Sequence, residues 1–261
     1  LSTLSLNIRV QAKTVNNTAL PAERHGLLPD GLTGSRIKWI AIAAMLIDHT
    51  AWAFVPFASA AGQAMHVVGR VTAPIMCFFI AEGYYYTKNV KKYAARLGIF
   101  ALVSQMPYSL FNSGKIFSLS EFSVIYTLFL SLLAVWAYDK IENRWLKTCV
   151  IIALCILSLR GDWMFLDILY SLIFWEYRGS FKEQARWFSV VSAGLVVFSA
   201  AAMALHGRHF YSQLFQAGVF LCLPILALYN GKRGGGEKSK WAFYIFYPLH
   251  LLVLGIIKVF A

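Results

Sequence analysis

The chain has 261 residues, of which 59% are hydrophobic and only 14% charged, with a mean hydropathy of +0.60. Apolar runs this long and frequent exceed what a soluble core requires, so water is not the solvent for most of the surface. The net charge of +12 raises nucleic acid as a partner, but the basic residues lie between the apolar runs, as in a membrane protein oriented by its loops; no nucleic acid is expected.

Residues 1–35 read as a weakly ordered cytoplasmic arm. They contain no apolar core segment and no small-residue cleavage site, so no secretory signal is expected and the first span is expected to direct insertion. Residues 36–261 read as one membrane-embedded domain. Runs close to the 20 residues that cross a hydrocarbon core predict nine transmembrane helices at 37–57, 64–86, 94–111, 122–138, 146–159, 163–176, 187–205, 211–229 and 241–260. Backbone groups inside lipid must bond within their own segment, so the predicted class is all-α. The fifth and sixth runs are short and joined only by Arg160, Gly161 and Asp162; one re-entrant hairpin is the alternative there. Gly231 to Lys240 reads as a flexible cytoplasmic linker.

Nineteen of the 24 lysines and arginines fall in the N-terminal tail and around the junctions after spans 2, 4, 6 and 8. The junctions after spans 1, 3, 5 and 7 are nearly free of them. This alternation predicts a cytoplasmic N-terminus and a C-terminus on the other side. The four cysteines fall inside spans with no CxxC and no metal-type spacing to histidine, so neither a disulfide framework nor a metal site is expected.

Ionisable groups at membrane depth cost about 2.5 to 3.5 kcal/mol each on insertion scales, and so face a cavity or a partner. At about 1.5 Å per residue, Asp48 and His49 of span 1 lie roughly 16 to 18 Å from the cytoplasmic end, Gln105 of span 3 roughly 16 Å and His250 of span 9 roughly 14 Å. Arg70 enters span 2 from the opposite side to a depth of about 9 Å, and Asp167 lies about 6 Å below the same face. Asp48, His49, Gln105 and His250 share a level, with Arg70 slightly to its periplasmic side, and together predict one polar site whose approach from that face Asp162 and Asp167 are placed to line. Adjacent helical residues point about 100° apart, so a bond from Asp48 to the His49 ring does not follow from their adjacency, and Arg70 is the alternative partner for Asp48. His49 is the candidate general base; the alternative is that the pair ties helices together. Tyr247 shares a face with His250 across Pro248, whose missing N–H is able to open the backbone. Glu82 lies near the cytoplasmic edge, where Lys88, Lys91, Lys92 and Arg96 are its expected partners, in a structural or functional role. His66, near the outer edge of span 2, is assigned no role.

Leu46-Ile47-Asp48-His49, Val68-Gly69-Arg70 with Pro74, Ala81-Glu82-Gly83-Tyr84, Arg96, Gln105-Met106-Pro107 and Tyr247-Pro248-Leu249-His250 together resemble the TraX family, typified by the F-pilin acetylation protein, over about residues 36–258. That family is related to the acyltransferase-3 membrane proteins, many of which place a basic residue eleven positions before a histidine in the first span; Lys38 and His49 match. The resemblance implies a multi-pass protein of the bacterial inner membrane that moves acetyl from cytoplasmic acetyl-CoA to an acceptor, a pilin subunit's N-terminal amine or an envelope glycan. It implies that His49 is the catalytic histidine, with Asp48, Arg70 and His250 around it. Lys38, Lys92 and Arg96 would meet the donor, and Gln105, Tyr247 and Asp167 the acceptor or oxyanion. The residues alone leave two other classes open, a proton-coupled transporter and a non-catalytic scaffold for pilus or envelope assembly.

Overall fold

The computed structural model describes residues 31–207 and 209–260, and among them the chain is all-helical, without a strand. The predicted arm at residues 1–30 lies outside the described residues. Ten α-helices follow in order: α1 Gly34–Phe54, α2 Ala60–Gly69, α3 Thr72–Tyr86, α4 Val90–Ser113, α5 Val124–Lys140, α6 Arg144–Ser158, α7 Leu166–Glu176, α8 Phe181–Leu205, then a 3-10 helix Phe210–Leu221, α9 Cys222–Ala227 and α10 Glu237–Phe260. Each of the nine apolar runs is helical. The second divides into α2 and α3, and the eighth is built from the 3-10 helix and α9.

Local chemistry sets the ends. Thr33, Ser59 and Asn89 cap α1, α2 and α4 by accepting from the backbone N–H of Arg36, Gly62 and Lys92. Gly114, at φ 68°, closes α4 in the left-handed region that glycine tolerates. The break between α2 and α3 falls at Arg70 and Val71 because Pro74 has no N–H to give the Arg70 carbonyl.

α3 is central, packed against α1, α5, α7 and α9, and buries ten of its fifteen residues. α10 packs on α4 and α1, α5 bridges α4 to α7, and the 3-10 helix joins α8 to α2. α6 touches α5 alone among the stronger pairings and buries only Ser158. Five segments are long and apolar enough to cross a membrane: Gly34–Phe54, Ala60–Tyr86, Phe181–Leu205, Phe210–Ala227 and Trp241–Phe260. The outside of the bundle is greasy as well: Leu102 and Phe198 are 79% and 74% exposed, an arrangement that calls for lipid rather than water. The chain is a membrane protein.

The predicted flexible linker is docked over its first half. The carbonyls of Lys232 and Arg233 accept from the N–H groups of Gly34 and Ser35 at 2.9 and 2.8 Å, and Leu32 pairs with Leu228 and Asn230. The segment thus closes over the start of α1. At the other end of the bundle, Phe122 exchanges backbone hydrogen bonds with Arg160 and Asp162, clipping the loop before α5 to the loop before α7.

Candidate active site

Asp48 and His49 leave α1 in different directions, as the 100° helical step requires, and each enters its own network. Asp48, 6% exposed, accepts from Arg70 Nη2 at Oδ2 and from His66 Nδ1 at Oδ1, both at 2.7 Å. Arg70, at the C-terminal end of α2, rests between the Trp163 and Phe215 rings, 5.0 and 5.3 Å from their centroids. α2 approaches α1 this closely because residue 69 is glycine: a Cβ there would stand 2.3 Å from that of Asp48. Gly218 does the same for the 3-10 helix, where a Cβ would meet the Val67 carbonyl oxygen at 2.2 Å.

His66 is the residue that sequence reasoning passed over. It is fully buried, its ring lies 4.3 Å from that of Trp52 and 5.5 Å from those of Phe57 and Phe215, and its Nδ1–H is committed to Asp48. Its Nε2 and the Nε of Arg70 are both buried without a hydrogen-bond partner. The available signal was spacing, since His66 and Arg70 are four apart on one helical face.

The second network runs from α10 to α1. His250 Nδ1 donates to the Phe246 carbonyl at 2.8 Å, which leaves its Nε2 as an acceptor. His49 Nδ1 lies 2.7 Å from that Nε2 and must supply the proton between them. The neutral His49 ring therefore carries its free lone pair on Nε2, in a partly exposed position beside Phe111. Tyr247 is buried against His250, with the rings edge to face at 5.7 Å.

Of the groups expected at one level, Asp48 is joined to Arg70 across α1 and α2 and His49 to His250 across α1 and α10, while Tyr247 packs beside His250. Asp162 joins from the loop before α7, near enough to Arg70, Asp48, Tyr108 and Tyr247 to act on them electrostatically. It keeps solvent access while densely surrounded by protein, and that burial pushes its carboxyl up to about 6. Met164, two residues on, holds φ 48°, in the left-handed region that costs a residue with a side chain.

Other predicted residues point elsewhere. Gln105 donates to the Ser118 and Glu121 carbonyls at 2.8 Å and accepts from Ser123 N–H, so its amide holds the loop that is clipped to the Asp162 segment. Asp167 is buried between α3, α5 and α7, accepting from Cys77 and from Thr127 at 3.4 and 2.5 Å. Glu82 pairs with Arg178 Nε at 2.7 Å instead of the expected lysines or Arg96. Arg178 follows α7, and its guanidinium covers the Tyr85 ring at 3.3 Å, so the bridge ties α3 to the α7–α8 turn. Lys38 reaches Phe79 and Phe243 and has Arg96 nearby, whereas Lys92 is exposed.

In comparison with known proteins, residues 33–258 match the family described as TraX protein. A curated relative, "Probable fimbrial assembly protein FimC, serogroup H1" of Dichelobacter nodosus, is 31% identical over 232 residues, covering 86% of this chain and 95% of its own length. No solved structure matches.

Proposed function

This chain belongs to the TraX family, and from that premise we propose that it is an inner-membrane acetyltransferase with nine spans and a cytoplasmic N-terminus. It transfers acetyl from cytoplasmic acetyl-CoA to an acceptor presented at the membrane or from the periplasmic side. The relative's name, a fimbrial assembly protein, favours the N-terminal amine of a pilin subunit over an envelope glycan.

The observation that carries this reading is the chain of contacts from the Phe246 carbonyl through His250 to His49 Nδ1, which assigns the His49 tautomer. With Phe246 orienting His250, and His250 orienting His49, the His49 Nε2 lone pair is directed away from the helix contact and is ready to accept a proton. The acceptor amine or hydroxyl attacks the thioester carbonyl carbon while its proton passes to His49 Nε2. Collapse of the tetrahedral oxyanion breaks the carbon–sulfur bond, and the departing thiolate takes the proton from the imidazolium. No acyl-enzyme is required. Arg70 is the favoured oxyanion donor, because its Nε is uncommitted whereas the Gln105 and His250 donors are already used. Asp48 holds Arg70 in place and balances its charge.

The outward-facing apolar side chains and the alternation of basic loops support a multi-pass topology. The test is acetyl transfer by the purified full chain in lipid nanodiscs, followed as free CoA released with a pilin-derived peptide. Mass spectrometry of envelope proteins and glycans, with and without the gene, is expected to show one species losing an acetyl mass. No CoA release and no changed species would overturn the reading.

A further inference from the structure

Lys38, Arg96 and Arg233 come from α1, α4 and the segment before α10, and both arginines lie near enough to Lys38 to repel it; a Cβ at Gly34 would stand 3.0 Å from the Phe79 ring and 3.4 Å from the Arg233 carbonyl, so the loop passes close by that ring. Lys38 Nζ stands 4.7 Å over the Phe79 ring and 5.6 Å from that of Phe243. Arg96 lies between Tyr93 and Tyr244 and donates Nε to the Tyr244 hydroxyl at 3.2 Å. Among the described residues none of the three has a carboxylate within salt-bridge reach. Aromatic faces attract a cation but do not neutralise it, and Lys38 and Arg96 are partly buried while Arg233 is open to the outside.

The loop that delivers Arg233 also walls a crevice of about 440 Å³, lined by Thr33, Ser35, Arg36, Asn230, Lys232 and Gly234 among others. Its backbone is pinned: Lys232 N–H donates to Asn230 Oδ1 at 3.0 Å, and Asn230 Nδ2 to the Gly31 carbonyl at 2.8 Å. Gly234, at φ 59°, passes so near Thr33 that a Cβ would meet its Oγ1 at 2.3 Å. Orientation by charged loops explains why basic residues are on this side of the protein. It does not explain why cations from three elements meet beside a preformed crevice.

We propose that this crevice and its adjoining cations bind a phosphate-ester anion. Guanidinium and ammonium donors on several sides of a polar hollow match phosphate oxygens. The identity of the ligand rests on the acetyl-transfer reading, under which it is the nucleotide end of the acyl donor, with the pantetheine arm running along α1 past Lys38 toward His49. An anionic lipid headgroup presents the same chemistry.

The experiment uses the full chain in nanodiscs of zwitterionic lipid, with and without added anionic phospholipid. CoA, ADP and pantetheine are titrated into wild type and into a Lys232→Ala/Arg233→Ala double variant, whose two side chains are exposed. Expected is CoA binding that weakens at least about tenfold in the variant and falls with salt, ADP competing for the site, and pantetheine showing no difference between the two proteins. Equal CoA affinity in wild type and variant overturns the site and leaves acetyl transfer standing. Absent CoA binding, with anionic phospholipid retained by wild type but not by the variant, keeps the phosphate site, assigns it to lipid and removes the donor reading. Neither ligand held overturns both.

Discussion

Asp48 turns away from its neighbour His49 and grips His66, 18 residues along the chain, through a 2.7 Å bond to Nδ1. Its other oxygen holds Arg70 at the same distance. The adjacent Asp and His in span 1 are thus the ends of two networks, one reaching into α2 and one into α10.

Removing one partner from the first network leaves the other buried and uncompensated. Asp48→Asn or Arg70→Leu alone is expected to destabilise the protein by about 3 to 5 kcal/mol, and the double variant by less than the sum. Denaturation of the detergent-solubilised variants in a double-mutant cycle measures the coupling; additive effects would show that the pair does not act as a unit.

His49→Ala is expected to cut acetyl transfer by about 10² to 10⁴-fold without loss of helicity or membrane insertion. His250→Leu leaves His49 in place but frees its tautomer, so a smaller loss is expected, together with a changed pH profile for kcat/KM. Full activity in His49→Ala would remove that residue from the mechanism. A lowered rate with an unaltered profile in His250→Leu would make His250 a packing residue.

Gly69→Ala puts a methyl group into space occupied by Asp48. The helices must part or Asp48 must move, at a cost of about 1 to 3 kcal/mol. Its melting temperature and its transfer rate are therefore expected to fall together, and wild-type stability in this variant would mean that α1 and α2 are not packed as described.

Asp162 sits in a loop, with its carboxyl raised from the ordinary 3.8 to about 6; burial dominates, Arg70 opposes, and Asp48 and Glu121 add to the rise. A folded value above the unfolded one means the native state keeps this proton longer. Its contribution to stability is complete below about pH 4 and disappears as pH rises through about 6. Melting curves between pH 4 and 8 are expected to lose that component in Asp162→Asn; an unchanged pH dependence would place the titration elsewhere.

The helical class and the location of each apolar run were legible because a hydrocarbon solvent leaves a long, unambiguous mark on sequence. Depth counting also put Asp48, His49, Gln105 and His250 at one level with Arg70 just to one side, and two pairs among them are in contact, Asp48 with Arg70 and His49 with His250. Depth carries no information about azimuth, however. Gln105 was put at the same height as His49, yet its side chain turns to the loop before α5. Glu82 found its partner in Arg178, 96 residues away, because a turn after α7 folds back over α3 in a way that no local pattern announces. His66 was discounted for lying near the edge of its span, yet the 3-10 helix packs on α2 there and its Phe215 covers the ring.

The break itself has a mechanical consequence. With Pro74 having no N–H to donate to the Arg70 carbonyl, the second apolar run is two short helices meeting at a joint, and the joint carries a cation. The joint is tied to α1 through the Arg70–Asp48 pair and held from the other side by the 3-10 helix packed on α2, so the placement of the residue beside His49 depends on all three elements.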